Sequence, residues 1–72
     1  MGALVDVYVL TWTDDTAREE YLDVDRSLEG AMSIAQGYGP NTTLEWWQGN
    51  GKWYAKIPDG PERWYRIVKE CA

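Results

Sequence analysis

The dipeptide Asn50-Gly51 lies between two runs rich in tryptophan and tyrosine, and it constrains this chain more than any other feature. A type I′ turn needs φ > 0 at both central residues. Asparagine and glycine tolerate this best, so Asn-Gly between strand-like runs predicts a two-residue hairpin. The turn also sets the register. Gly49 falls opposite Lys52, Gln48 opposite Trp53, Trp47 opposite Tyr54, Trp46 opposite Ala55, Glu45 opposite Lys56 and Leu44 opposite Ile57. Side chains alternate between faces of a strand. One face then carries Leu44, Trp46, Trp53, Ala55 and Ile57; the other carries Glu45, Trp47, Lys52, Tyr54 and Lys56. The first set is apolar and the second mixed, so pattern and turn agree.

A second turn follows at Ile57-Pro58-Asp59-Gly60. Proline suits the second position of a type I turn, and Gly60 suits a bulge with φ > 0. This predicts a three-residue loop with Ile57 opposite Pro61, Lys56 opposite Glu62, Tyr54 opposite Trp64, Trp53 opposite Tyr65 and Lys52 opposite Arg66. Tyr65 and Ile67 join the apolar face, and Trp64, Arg66 and Val68 join the outer one. A slip of one residue exchanges those sets.

Upstream, residues 3–12 are rich in β-branched and aromatic residues and read as a strand. Val5, Val7 and Val9 share one face; Leu4, Tyr8, Leu10 and Trp12 share the other. Apolar residues on both faces point to a position inside a sheet. The polar stretch Thr13-Asp14-Asp15-Thr16 reads as a turn. Arg18 to Val24 then alternates, with Leu22 and Val24 on one side and Glu19, Tyr21 and Asp23 on the other. With Asp14-Asp15 as the loop, Val7 faces Leu22, Val5 faces Val24, and Asp6 meets Asp23 in an unfavourable like-charge pair. A short helix over 16–23 is the competing reading, because Ala17, Arg18, Glu19 and Glu20 are fair helix formers.

Ser27 is a good N-cap, and Glu29 suits the first turn of a helix. Leu28, Ala31, Met32 and Ala35 recur at helical spacing, with Ile34 at the margin, and Gly37 reads as the C-cap before Gly39-Pro40. The stripe is short and needs a sheet beneath it. Gly30 either weakens this helix or permits a close approach to the sheet. The expected fold is therefore a single α+β domain over residues 1–72, ββαβββ, with one helix on one face of a twisted antiparallel sheet. Strand orders 2-1-5-4-3 and 2-1-3-4-5 both keep neighbours antiparallel.

Charge narrows the choice of partners. The net charge is -5, distributed unevenly. Residues 1–29 carry eight acids against two bases, and residues 30–72 carry four acids against five bases. An overall acidic chain argues against general phosphate-backbone binding but permits a basic C-terminal face. The single cysteine, Cys71, excludes an intramolecular disulfide framework and fits a reducing compartment such as the cytoplasm. No apolar run approaches the ~18 residues a membrane-spanning helix needs, and no secretory signal pattern is present.

The chain offers little for catalysis. It has no histidine, and Cys71 has no partner base and sits at an end expected to fray. The carboxylate pairs Asp14/Asp15, Glu19/Glu20 and Asp23/Asp25 fall on a hairpin tip and a strand edge, where a solvated face is the ordinary outcome. Neither calcium-loop nor zinc spacing occurs, nor does a glycine-rich phosphate loop. The expectation is a non-enzyme with no metal and no cofactor.

The candidate site is the outer face of the ribbon. Trp47, Tyr54 and Trp64 line up across three strands there, flanked by Glu45–Lys56–Glu62 on one side and by Lys52 with Arg66 on the other. Exposed aromatics with a polar rim mark interaction surfaces. Three occupants suit such a face: a protein partner, a second copy of the chain, or single-stranded nucleic acid stacking on the rings with Lys52, Lys56 and Arg66 at its phosphates. The plain alternative is that the 38–42 loop covers it. The acidic 14–29 segment is a second candidate, either as solvated surface or as a docking face for a basic partner.

Taken together, the Val-rich opening strand, the Trp12-Thr13-Asp14-Asp15 turn, the Ser27–Met32 helix start, the Trp46-Trp47 hairpin and the closing Arg63–Val68 strand resemble the small accessory proteins encoded by actinobacterial phages. The resemblance implies a protein of the host cytoplasm, made during infection, that binds a host or phage protein. It assigns no individual binding residue.

Overall fold

The strand that is apolar on both faces sits inside the sheet. A computed structural model describes residues 5–14, 16, 18–38, 43–57 and 62–71. Its elements are β1 (Asp6–Asp14), β2 (Glu19–Asp25), α1 (Leu28–Tyr38), β3 (Trp46–Gly49), β4 (Lys52–Lys56) and β5 (Arg63–Cys71). The five strands form one antiparallel sheet in the order β2-β1-β5-β4-β3, the first of the two expected orders. The helix lies on one face only. None of the described helices is long and apolar enough to cross a membrane.

The core lies between α1 and the sheet. Leu10 of β1 and Ile67 of β5 are cross-strand neighbours and are fully buried. Ala31 and Ala35 present the small side of the helix to them, and Ala55, Tyr65 and Leu44 complete the buried set. Tyr8, Trp12, Trp46, Trp53, Leu28, Met32 and Ile34 pack around it, as the parity of each strand and the helical stripe predict, and Leu22 joins them from β2. Each fully buried aliphatic side chain contributes on the order of 1.5–3 kcal/mol, a large share for so short a chain. Tyr8 and Trp53 meet edge to face at 5.9 Å, and Gln36 Oε1 accepts the Leu44 N–H at 2.9 Å, tying the helix to the entry of β3.

The Asn50-Gly51 hairpin forms in the expected register, from Gly49 opposite Lys52 to Trp46 opposite Ala55. Asn50 (φ 53°) and Gly51 (φ 73°) both take the left-handed conformation the turn needs. The expected pairs beyond it, Glu45 with Lys56 and Leu44 with Ile57, lie outside the strand, which begins at Trp46.

The β4–β5 register differs by two residues. Lys56 pairs with Trp64, Ala55 with Tyr65, Tyr54 with Arg66, Trp53 with Ile67 and Lys52 with Val68. The Ile57 N–H reaches the Arg63 carbonyl at 2.9 Å, so the connection is wider than three residues. The expected bulge at Gly60 lies outside the described residues. Because the difference is even, every side chain keeps its face.

The β1–β2 register is also displaced. Val9 pairs with Val24, Thr11 with Tyr21 and Thr13 with Glu19, so Val7 does not face Leu22 and Asp6 does not meet Asp23. Asp14 causes part of this shift. Its Oδ1 accepts from the Thr16 N–H, the Thr16 hydroxyl and the Arg18 N–H, closing a wider turn than a two-residue loop. The rest comes from an irregularity between Leu10 and Thr11, where Leu22 is the extra residue of a β-bulge. Leu22 therefore joins the core, while Tyr21 and Val24 both share a face with β1's valines, correcting the simple alternation. The segment is a strand, not the competing helix over 16–23.

The helix opens at a local hydrogen-bond network. The Ser27 hydroxyl oxygen accepts the Gly30 N–H at 2.9 Å, and Asp25 Oδ2 accepts from both the backbone N–H and the hydroxyl of Ser27. A Cβ at Gly30 would strike Oδ2 and Cγ of Asp25 and come within 2.8 Å of Ser27 Oγ. Gly30 thus admits the capping side chains rather than the sheet. The helix runs to Tyr38, one residue past Gly37, so Gly37 sits in the last turn and is not the C-cap.

Candidate functional site

The sheet face opposite the helix collects the aromatic residues singled out by the turn chemistry. Trp47 on β3 and Tyr54 on β4 are cross-strand partners, and their rings stack at 5.8 Å and 23°. Trp64 does not face Tyr54. It lies between Lys56 of β4 and Thr13 of β1, one diagonal step away. Even so, Trp47, Tyr54 and Trp64 line a single shallow hollow of about 250 Å³, which Thr13 completes. Trp47 is 47% exposed, whereas Tyr54 and Trp64 are half-buried. Thr13 was not among the expected residues. Its parity on β1, the same as Val7 and Val9, is the signal that places it there.

The basic residues of this face occupy different positions. Lys56 is exposed and pairs with Glu62 at 3.6 Å, one half of the expected three-residue ion pair. Arg66 does not face Lys52. It lies between Thr11 and Tyr54 and pairs with Glu19 of β2. Lys52 lies beside Gly49 and Val68 and has no ion pair among the described residues. The face is therefore close to charge-balanced. Across the rest of it, Val9, Val24 and Val68 form an apolar row, and Tyr21 is 61% exposed at the edge.

Much of the acidic segment is engaged locally. Asp14 closes its turn, Asp25 holds the cap and Glu19 pairs with Arg66. Asp23 Oδ1 accepts the N–H of Val24 at 2.8 Å. The Thr16 hydroxyl, first among several donors, holds the Asp14 carboxyl below its ordinary range. At the opposite end of the sheet, Cys71 Sγ donates to Asp6 Oδ1 at 3.4 Å and Lys69 lies 3.3 Å from Asp6. The thiol is pushed up, first by that hydrogen bond, which the negative carboxylate makes hard to lose.

Sequence reasoning missed a second concavity, on the helix side. Trp12, Leu22, Tyr38, Ile57, Arg63 and Tyr65 line a hollow of about 380 Å³ beyond the end of α1. The Arg63 guanidinium sits over the Trp12 ring at 5.6 Å, and the Tyr38 and Tyr65 rings lie 6.3 Å apart. Burial raises the Tyr65 hydroxyl, partly opposed by the charge of Arg63. The sequence signal is that Arg63 shares the parity of Tyr65 and Ile67, placing a cation in an apolar register.

Comparison with protein-family models, with curated proteins and with solved structures gives no match. The chemistry of the site therefore rests on its own geometry.

Proposed function

We propose that the protein is a non-enzymatic binding module whose aromatic sheet face, built on Trp47, Tyr54 and Trp64, takes a protein partner. The observation that carries this reading is the ring-lined hollow on the face the helix leaves bare, with Trp47 47% exposed at its rim. Trp and Tyr concentrate binding energy at protein interfaces because they bring large rigid area at low entropic cost. The ion pairs of Arg66 with Glu19 and of Lys56 with Glu62 favour a protein over a nucleic acid, since they leave only Lys52 unpaired for phosphates among the described cations of the face. In the setting that the phage resemblance implies, the partner is a host or phage protein in the cytoplasm.

The test is Trp47→Ala combined with Trp64→Ala. The double variant should keep the circular dichroism of the parent and lose capture of its partner. Two results count against the reading. Retained capture shows that the face is not used, and an unfolded variant shows that the rings are structural. Capture that weakens steeply with salt and needs single-stranded nucleic acid transfers the face to nucleic-acid binding. A concentration-dependent mass in equilibrium sedimentation that vanishes in the double variant transfers it to self-association.

A further inference from the structure

We propose that the helix-side hollow is a binding site for a small planar aromatic carboxylate. The ring packs against Trp12, Tyr38 and Tyr65, and the carboxylate sits on the Arg63 guanidinium. Small-ligand pockets are concave, mostly apolar and aromatic, with a few placed polar groups, and run from about 300 Å³ upward. At about 380 Å³, with three rings, two aliphatic side chains and one arginine, this hollow has that make-up and admits one or two fused rings.

Arg63 identifies the ligand's polar end. It lines the hollow and has no ion pair among the described residues. The planar guanidinium fork matches a carboxylate through two parallel hydrogen bonds. The nearest acid across the strand pair is Asp14, whose Oδ1 is taken up by Thr16 and Arg18. A monoanion suits the site better than a dianion, because the chain carries a net charge of -5 and Asp14 stands beside Arg63 in the ladder. The apolar end is set by Tyr38, which is 54% exposed at the rim although its ring lies near Tyr65. A flat ring seated there covers a tyrosine that the fold leaves half in water. This site lies on the opposite sheet face from Trp47 and Trp64, so it stands or falls independently of the protein-binding reading.

The experiment is a titration of isotope-labelled protein with 2-naphthoate, followed by amide and indole chemical shifts. Saturable shifts are expected at the Trp12 indole N–H and at the amides of Leu22, Tyr38 and Arg63. The neutral analogue 2-naphthamide should bind at least about tenfold more weakly, the smallest effect of losing a charge-assisted hydrogen bond. Arg63→Met should abolish the preference for the acid, Tyr38→Ala should weaken binding about two- to tenfold, and Trp47→Ala should leave it unchanged. The proposal is overturned if 2-naphthoate does not saturate up to its solubility limit. Equal affinity for the amide, or shifts centred on Trp47 and Trp64, overturns it as well. The comparison of acid with amide uses the unmodified chain, so an unstable variant does not decide the outcome.

Discussion

Adding one methyl group at Gly30 sets two well-characterised effects against each other, and the structure decides the sign. Alanine is favoured over glycine inside a helix by about 1 kcal/mol, so propensity alone predicts that Gly30→Ala stabilises. The new Cβ, however, lies 2.5 Å from Asp25 Cγ and 2.8 Å from Ser27 Oγ. Those side chains must turn away. Ser27 then gives up its bond from the Gly30 N–H, and Asp25 gives up its two bonds from Ser27. Losing an N-cap costs about 1 kcal/mol, and each further exposed hydrogen bond costs ~0.5–1 kcal/mol. The loss is thus about 2–3 kcal/mol, and the net effect is destabilising by about 1–2 kcal/mol. For a domain of this length that lowers the thermal midpoint by ~4–16 °C. The assay is thermal unfolding by circular dichroism, with Gly37→Ala as the internal comparison. Nothing lies within 4 Å of a Cβ at Gly37, so propensity acts there unopposed and the midpoint should rise. In an Asp25→Ala background the main obstruction is gone, and Gly30→Ala should become neutral or stabilising. A midpoint for Gly30→Ala equal to or above the parent's refutes the capping argument.

Three further outcomes follow from local geometry. Gly51→Ala forces a side chain into the left-handed region at φ 73° and should cost about 1–2 kcal/mol in urea unfolding; an unchanged midpoint would mean the turn has another form. Asp14 has a folded-state pKa held below 3.8, first by the Thr16 hydroxyl, so its contribution is fully present above 3.8 and disappears as pH falls through the depressed value. Asp14→Asn should flatten the acid-unfolding curve in that window, and a curve that keeps its slope there removes Asp14 as the cause. The raised thiol of Cys71 predicts slower iodoacetamide alkylation at mildly alkaline pH than in Asp6→Ala, and equal rates would show that the Asp6 hydrogen bond does not form in solution.

How much of this was legible depends on which forces set each element. The Asn50-Gly51 register follows from φ alone, and so it is readable residue by residue. The assignment of faces survives everywhere in the β3–β4–β5 meander because burial acts on parity, which a two-residue displacement preserves. Loop length is another matter. The Ile57–Arg63 connection is closed by a backbone bond whose register periodicity does not encode, and the reach of the Asp14 carboxylate across Thr16 and Arg18 depends on side-chain hydrogen bonds that it does not encode either. The bulge at Leu22 is of the same kind: it lets one apolar residue enter the core at the expense of regular pairing. The aromatic hollow was half legible, since Trp47, Tyr54 and Trp64 follow from the meander but Thr13 arrives from a strand far away in sequence. The Arg63 hollow was not legible, because its walls come from β1, β2, α1 and β5 and meet only in the folded chain.

The pairing of β1 with β5, from Asp6 beside Cys71 to Asp14 beside Arg63, has a consequence for how the molecule assembles. Both flanking units are local: β1 with β2 is one hairpin, and β3 to β5 is a continuous meander. Neither has a complete core alone, because Leu10 belongs to the first and Ile67 to the second. The longest ladder in the sheet therefore acts as a seam between two halves drawn from opposite ends of the described chain. Closing it requires ordering almost the whole length, a loop-closure cost that local contacts do not repay until the seam is shut. Folding should accordingly be governed by the meeting of the two halves, and a lesion at Leu10 or Ile67 should slow that meeting as well as weaken the product.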